Sequence, residues 1–232
     1  MTPLLLLLVQ PVPVTLDTLK VGDAPCTVIT ADLSDPRVRV GVTVPNNFPG
    51  TDEPFSSMVK RSDPIAAVNG AYFAKDTLNP IGDVVIDGRV RWNGRMGTAM
   101  TLTADKKCKF LRVIRHKTYA WGAYETVLAC GPALMLDGQI NVDWRKEGFR
   151  DPHVTGRTYR MAVGHTPEGK LKLVQIKKAV TFEEEARIME KLGCFEAMNL
   201  DAGASTGMYF GGKFLATPSR KLTNILGIWV TK

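Results

Sequence analysis

Asp201 is the carboxylate that the local sequence sets up most directly for chemistry. It follows F-E-A-M-N-L (195–200), a short apolar run that reads as a buried strand, and it opens the loop A-G-A-S-T-G. Small residues let a ligand approach the backbone, and successive N–H groups in such a loop can point at an anion. Ser205 and Thr206 add hydroxyls to the same loop. Other polar residues are embedded in apolar stretches in a similar way. Asn69, Tyr72 and Phe73 lie in A-A-V-N-G-A-Y-F, Gly131 precedes Pro132 in A-C-G-P-A-L-M, and Arg157 and Arg160 precede M-A-V-G. Arg220, Thr223 and Asn224 lie in T-P-S-R-K-L-T-N-I-L. Taken singly, each has an ordinary structural alternative. Asn-Gly is a turn, Gly-Pro a strand entry, each arginine a surface cation, and Ser219-Arg220-Lys221 a solvated turn.

Several chemistries lack their motifs. There is no G-x-x-x-x-G-K-[ST], no G-x-G-x-x-G and no H-E-x-x-H, so phosphate loops and zincin helices have no support. His116, His153 and His165 are far apart, and Cys26, Cys108, Cys130 and Cys194 form no CxxC pair. No metal or other cofactor is therefore expected, and the cysteines read as free buried thiols. No N-x-[ST] sequon occurs. The chain of 232 residues is 44% hydrophobic and 23% charged, which excludes wholesale disorder. Its formal charge of +7 attracts polyanions in general. No helix carries a basic stripe with interleaved aromatics, so a specific nucleic-acid module is not expected. Leu4–Val9 is far too short to span a bilayer. Residues 1–14 read as a leader or an edge segment, and the compartment stays open between cell envelope, secretion and cytoplasm.

The elements that must position these groups are mainly strands. Cys26–Leu33 and Val38–Val44 are rich in β-branched residues, the second alternating strictly. Pro54–Arg61 predicts a short helix ended at Asp63-Pro64, and Ile65–Val68 a strand running into Asn69-Gly70. Asp87-Gly88, Asp137-Gly138 and Glu168-Gly169 each separate β-rich runs and predict hairpins. One helix is well specified. Thr181 with Glu184 makes a capping box, Glu183, Glu184 and Glu185 complement the dipole, Phe182, Ala186, Met189 and Leu192 form the apolar stripe, and Gly193 stops it. Phe195–Leu200 and Ile225–Val230 are further strands. With no repeat or linker in sight, the expectation is one α+β domain over 1–232, mainly antiparallel or mixed β-sheet with a few packed helices.

Taken together and in order, the segments are more specific than any one of them. The series N-G-A-Y-F, G-P-A-L-M-L-D-G, R-M-A-V-G-H-T-P-E-G-K-L-K-L-V, M-N-L-D-A-G-A-S-T-G-M-Y-F-G-G-K-F-L and P-S-R-K-L-T-N-I-L resembles the phosphodiester glycosidase family, from about Ala66 to Val230. Where the family more often has N-L-D-G-G-G-S-S-T, this chain has Ala202, Ala204 and one serine fewer. Met161 stands where a threonine usually follows the arginine. The resemblance implies hydrolysis of the bond between a sugar anomeric carbon and a phosphodiester, releasing free sugar and a phosphomonoester. It implies Asp201 as the group that stabilises oxocarbenium character, as nucleophile or as base for water. It implies Arg160 and Arg220 as a phosphate clamp. Asn69, Tyr72, Phe73, Gly131, Ser205, Thr206 and Asn224 would bind substrate. Phosphate is a good leaving group, so a second carboxylate is not required; Asp83 in P-I-G-D is the candidate if one exists. The implied partner is a glycosyl phosphodiester, small or polymeric. The competing reading is a non-catalytic domain that binds anionic, phosphate-containing glycans or cell-envelope polymers. Oligomeric state, sugar, anomer and acceptor stay open.

Overall fold

The β-branched runs become three antiparallel sheets. The computed structural model describes residues 12–115 and 117–231; the run Leu4–Val9, most of the 1–14 segment, and His116 lie outside the described residues. The largest sheet has seven strands, in the spatial order β1 (Val14–Val21), β2 (Ala24–Asp32), β13 (Lys170–Val180), β12 (Thr158–His165), β14 (Glu196–Leu200), β10 (Ala133–Leu136) and β11 (Gln139–Ile140). A five-stranded sheet runs β16 (Lys213–Ala216), β15 (Met208–Phe210), β4 (Ala66–Asn69), β17 (Ile225–Val230) and β3 (Val38–Thr43). The third runs β6 (Arg89–Trp92), β5 (Val84–Ile86), β9 (Thr126–Ala129), β7 (Thr98–Leu102) and β8 (Cys108–Arg112). Every pairing among these strands is antiparallel. The architecture is therefore mainly antiparallel β with few helices, and the mixed-sheet alternative does not apply to the described residues.

Local chemistry accounts for the turns. Asp87-Gly88 and Asp137-Gly138 both place two residues at positive φ (50° and 70°; 50° and 75°), the backbone that matches the twist of a two-residue hairpin. The Glu168-Gly169 turn joins β12 and β13 as the pattern predicts. Helix α1 (Phe55–Ser62) ends at Asp63 in a left-handed cap. The helix before β14, α3 (Phe182–Lys191), has the full capping box: Thr181 accepts from Glu184 N and Glu184 accepts from Thr181 N, a cap typically stabilising by about 1 kcal/mol. Its buried side chains Phe182, Ala186 and Met189 pack on one face of the large sheet with Val28, Ala162 and Ile176. Each large apolar side chain so buried stabilises by about 1.5–3 kcal/mol.

The main core draws residues from all three sheets, among them Ile29, Val68, Met100, Leu128, Met198 and Leu226. This shared core fixes the strand ends that carry the site. All four cysteines are free and buried, and burial pushes the Cys26 thiol up to about 11. No helix among the described residues is long and apolar enough to cross a membrane.

Candidate active site

Antiparallel pairing brings distant motifs side by side. β14 pairs with β12 so that Leu200 lies opposite Met161, next to Arg160. β17 pairs with β4 so that Ile225 lies opposite Asn69. Loop hydrogen bonds lace the two sheets together where these strands end. Asp201 N donates to Gly70 O at 3.0 Å, and Gly70 N to Asn224 O at 3.2 Å. Ala71 N donates to Asn224 Oδ1 at 2.6 Å. Asn69 donates from Nδ2 to Asp201 O and accepts from Gly207 N at 3.0 Å. Gly70 has to be glycine here, because a Cβ would stand 2.0 Å from Asn224 Oδ1. Asn69 and Asn224 are almost fully buried; Asn69 spends its amide on backbone, and Asn224 donates to Thr223 Oγ1 at 2.9 Å and to Ala71 O at 3.4 Å. They act as posts under the Asp201 loop, where the sequence suggested ligand contacts.

Asp201 itself is only 4% exposed. Its Oδ2 accepts from Arg220 Nη2 at 2.7 Å and its Oδ1 from Ala202 N at 2.8 Å. Arg220 Nε donates to Ser205 Oγ at 2.6 Å, so one guanidinium links the hydroxyl to the carboxylate. The Arg220 guanidinium lies 4.5 Å over the Phe73 ring. Burial pushes the Asp201 carboxyl above its usual range, while Ser205, Arg220 and Ala202 N pull the other way. The loop tolerates its two alanines: Ala202 is extended at φ −147°, and of 202–204 only Gly203 needs positive φ (59°). Thr206 closes the single 3-10 turn, its N–H on Gly203 O, and does not reach the cleft wall.

Arg160 behaves differently from Arg220. It is 1% exposed. Nη1 donates to Val154 O at 2.9 Å, Nη2 to Gly156 O and Nε to Val180 O at 3.4 Å. The guanidinium lies 3.9 Å over Phe182. It borders the cleft, but its donors hold the segment around the short helix α2 (Pro152–Thr155). Behind it, Glu185 is fully buried, with Oε2 at 3.8 Å from Arg160 Nε and neither oxygen hydrogen-bonded among the described residues. Burial pushes the Glu185 carboxyl up to about 8. The sequence assigned Glu185 only to the helix dipole; its position in the fourth place of the helix, facing the sheet, is what a heptad count would have exposed.

A cleft of about 420 Å³ opens over Asp201. Of the sequence-predicted residues, Tyr72, Phe73, Arg160, Asp201 and Arg220 line it; Asn69, Gly131, Ser205, Thr206 and Asn224 do not. Tyr72 accepts from Asn199 Nδ2 at 2.8 Å, and Gly131 offers its carbonyl to the same amide at 3.1 Å. Burial raises the Tyr72 phenol well above its usual range, so it stays protonated. Lys75, Met96, Phe149, Arg150 and His153 complete much of the wall and were not singled out from the sequence. R-D-P-H at 150–153 carried a signal, Asp-Pro opening a helix between an arginine and a histidine; Asp151 indeed caps α2 through His153 N. Lys75 and Arg150 are exposed and have no ion-pair partner among the described residues. Asp83 lies elsewhere: it is fully buried, accepting from Arg95 N and Trp121 Nε1 at 2.7 Å each. Among the described residues no cluster of three or more His, Cys, Asp or Glu gathers as a metal site.

Fold and site together define a β-sheet protein with a cationic cleft built around a buried aspartate–arginine pair. The phosphodiester glycosidase family model matches residues 62–229, and the chain belongs to that family. Among solved structures, the catalytic domain of zebrafish N-acetylglucosamine-1-phosphodiester alpha-N-acetylglucosaminidase, auto-inhibited by its pro-peptide, superposes with a TM-score of 0.76 at 18% identity, covering 94% of this chain and 82% of that one. A Synechocystis protein superposes with a TM-score of 0.72 at 15% identity, covering 94% of this chain. This chain spans 62% of that protein's chain. A Burkholderia pseudomallei K96243 protein gives 0.63 at 16% identity, covering 89% and 74%. A search of curated proteins finds no match.

Proposed function

We propose that this protein hydrolyses a glycosyl phosphodiester, breaking the bond between the anomeric carbon and the phosphate oxygen. The observation that carries this reading is the Asp201–Arg220 pair, with Ser205 behind it, on the floor of a cleft whose rim holds Lys75 and Arg150, unpaired among the described residues. The phosphodiester is anionic before cleavage. When the C–O bond breaks, its electron pair stays on the phosphate oxygen, and the phosphate gains a further charge. Cations already in place stabilise that charge without reorganising. The anomeric carbon becomes electron-poor, and the Asp201 carboxylate offsets it, as nucleophile or as base for the attacking water. Arg220 and Ser205 favour the ionised carboxylate against the cost of its burial, and they lock its rotamer. Phosphate leaves readily, which fits a site with one carboxylate at its floor, Asp151 of the wall capping α2 and Asp83 committed elsewhere.

Family membership and the zebrafish neighbour support a sugar 1-phosphodiester as substrate class, with N-acetylglucosamine the first sugar to try. The test is release of reducing sugar from the methyl diester of N-acetylglucosamine 1-phosphate and from related sugars. Asp201→Asn keeps the shape of the group and should lower kcat by roughly 10²–10⁴-fold. Full activity in that variant removes Asp201 from catalysis. Binding of phosphodiester glycans without release of sugar from any of them would make the protein a binding domain instead.

A further inference from the structure

The catalytic cleft has a neighbour. A second pocket of about 380 Å³ shares Ile81 and Met96 with the cleft wall. The 72–81 loop stands between the two. Phe73 and Lys75 face the cleft, and Ala74, Thr77, Asn79 and Pro80 face the neighbour. The loop is held closed by the Phe73–Pro80 bridge and by Ile81 N on Tyr72 O at 3.0 Å.

The second pocket carries Arg95 and Arg115 and has no carboxylate in its lining. Both arginines are exposed, and neither has an ion-pair partner among the described residues. Arg95 is held in an unusual way. Its φ is +63°, a conformation that few non-glycine residues adopt. Its N–H is fixed by buried Asp83, whose other oxygen is tied to Trp121. A buried carboxylate thus holds a strained backbone that presents an arginine to solvent, an arrangement usually kept for a purpose. Trp92 and Asn93 add an apolar ring and an amide to the same lining, Trp92 being fixed through Nε1 on Pro80 O at 2.7 Å.

We propose that the second pocket is a subsite for the part of the substrate beyond the scissile phosphate, and that it takes another phosphate of a phosphodiester-linked glycan. The substrate is then a polymer or oligomer with repeated phosphates. Lys75 and Arg150 meet the phosphate at the cleavage point, and Arg95 and Arg115 meet the next one across Met96 and Ile81. This rests on the hydrolytic reading of the cleft.

Two probes separate the two ideas: the methyl diester of N-acetylglucosamine 1-phosphate, and a trimer of phosphodiester-linked N-acetylglucosamine 1-phosphate units. The trimer should be cleaved with kcat/KM about tenfold or more above the methyl diester, worth about 1.4 kcal/mol. The Arg95→Asn, Arg115→Gln double variant should abolish that advantage and leave cleavage of the methyl diester unchanged. Asn tolerates the left-handed backbone at position 95, and Arg115→Gln alone should remove part of the advantage if the double variant folds poorly. Equal kcat/KM for both probes, or an advantage that survives the double variant, overturns the subsite. If neither probe is hydrolysed, calorimetric binding decides. Tighter binding of the trimer that is lost in the double variant keeps the subsite and ends the hydrolytic reading; equal or absent binding of both ends the subsite as well.

Discussion

The floor and the rim of the cleft are built on opposite principles. On the floor the charged groups at the cleft already have protein partners: Asp201 holds Arg220 and Ala202 N, Arg220 holds Ser205, and Arg160 holds three carbonyls. On the rim, Lys75 and Arg150 are exposed and unpaired among the described residues. A buried charge is tolerated only when its surroundings satisfy it, so the floor is pre-set and rigid. A solvated cation costs little, so the rim can wait for an anion. The two arginines that the family resemblance pairs as a clamp both belong to the floor but do different work there. Arg220 reaches the Asp201 carboxylate, whereas Arg160 braces the wall that carries His153 and Val154.

The largest effect expected is on the floor. Asp201→Asn should remove nearly all turnover while leaving the thermal midpoint close to that of the parent, measured by parallel rate and melting experiments. Next comes Arg160→Ala. It strands the buried carbonyls of Val154, Gly156 and Val180, so a loss of about 3–5 kcal/mol is expected, read from urea unfolding. A mild loss would move Arg160 back toward the ligand-binding role.

Glu185 gives a subtler test of the same bracing. Its native carboxyl titrates at about 8, against 4.5 for the free group. Between those values the native state keeps a proton that the unfolded chain has lost, so stability from this group falls as pH rises from about 4.5 to 8. Glu185→Gln should flatten that slope and raise the melting temperature most at pH 8. A slope that persists in the variant would assign it to other groups. The smallest effects belong to the rim. Lys75→Ala and Arg150→Ala should each lower kcat/KM by about 2–5-fold, through a modest fall in kcat together with a higher KM, and added salt should shrink the difference. A large fall in kcat instead would promote either residue to the floor's role.

Much of the fold is legible along the chain because it is encoded locally. The Asp-Gly turns, the Thr181 capping box and the alternation in Val38–Thr43 each act within a few residues, and each produces the element that its pattern predicts. Helix α2 is left unread, since four residues carry too little periodicity to register, and so are strands β1, β8 and β9. For the site, the legible part is the set of strand-end motifs. Which of their polar atoms face a ligand is not legible, because Asn69 and Asn224 differ from Tyr72 only in what packs against them.

The sequence by itself determined most of the strands, the turns and the family, since these depend on local backbone preference and on ordered motifs. Tertiary structure alone decided the work of each charged side chain. Burial next to unpaired carbonyls made Arg160 a brace, and proximity to Asp201 made Arg220 its partner. Loops from residues 72–81, 95–96 and 149–158 assembled the cationic walls. The reason is electrostatic: what a charge does is set by its solvation and its nearest neighbours in space, and strand pairing brings together neighbours that lie more than a hundred residues apart in the chain.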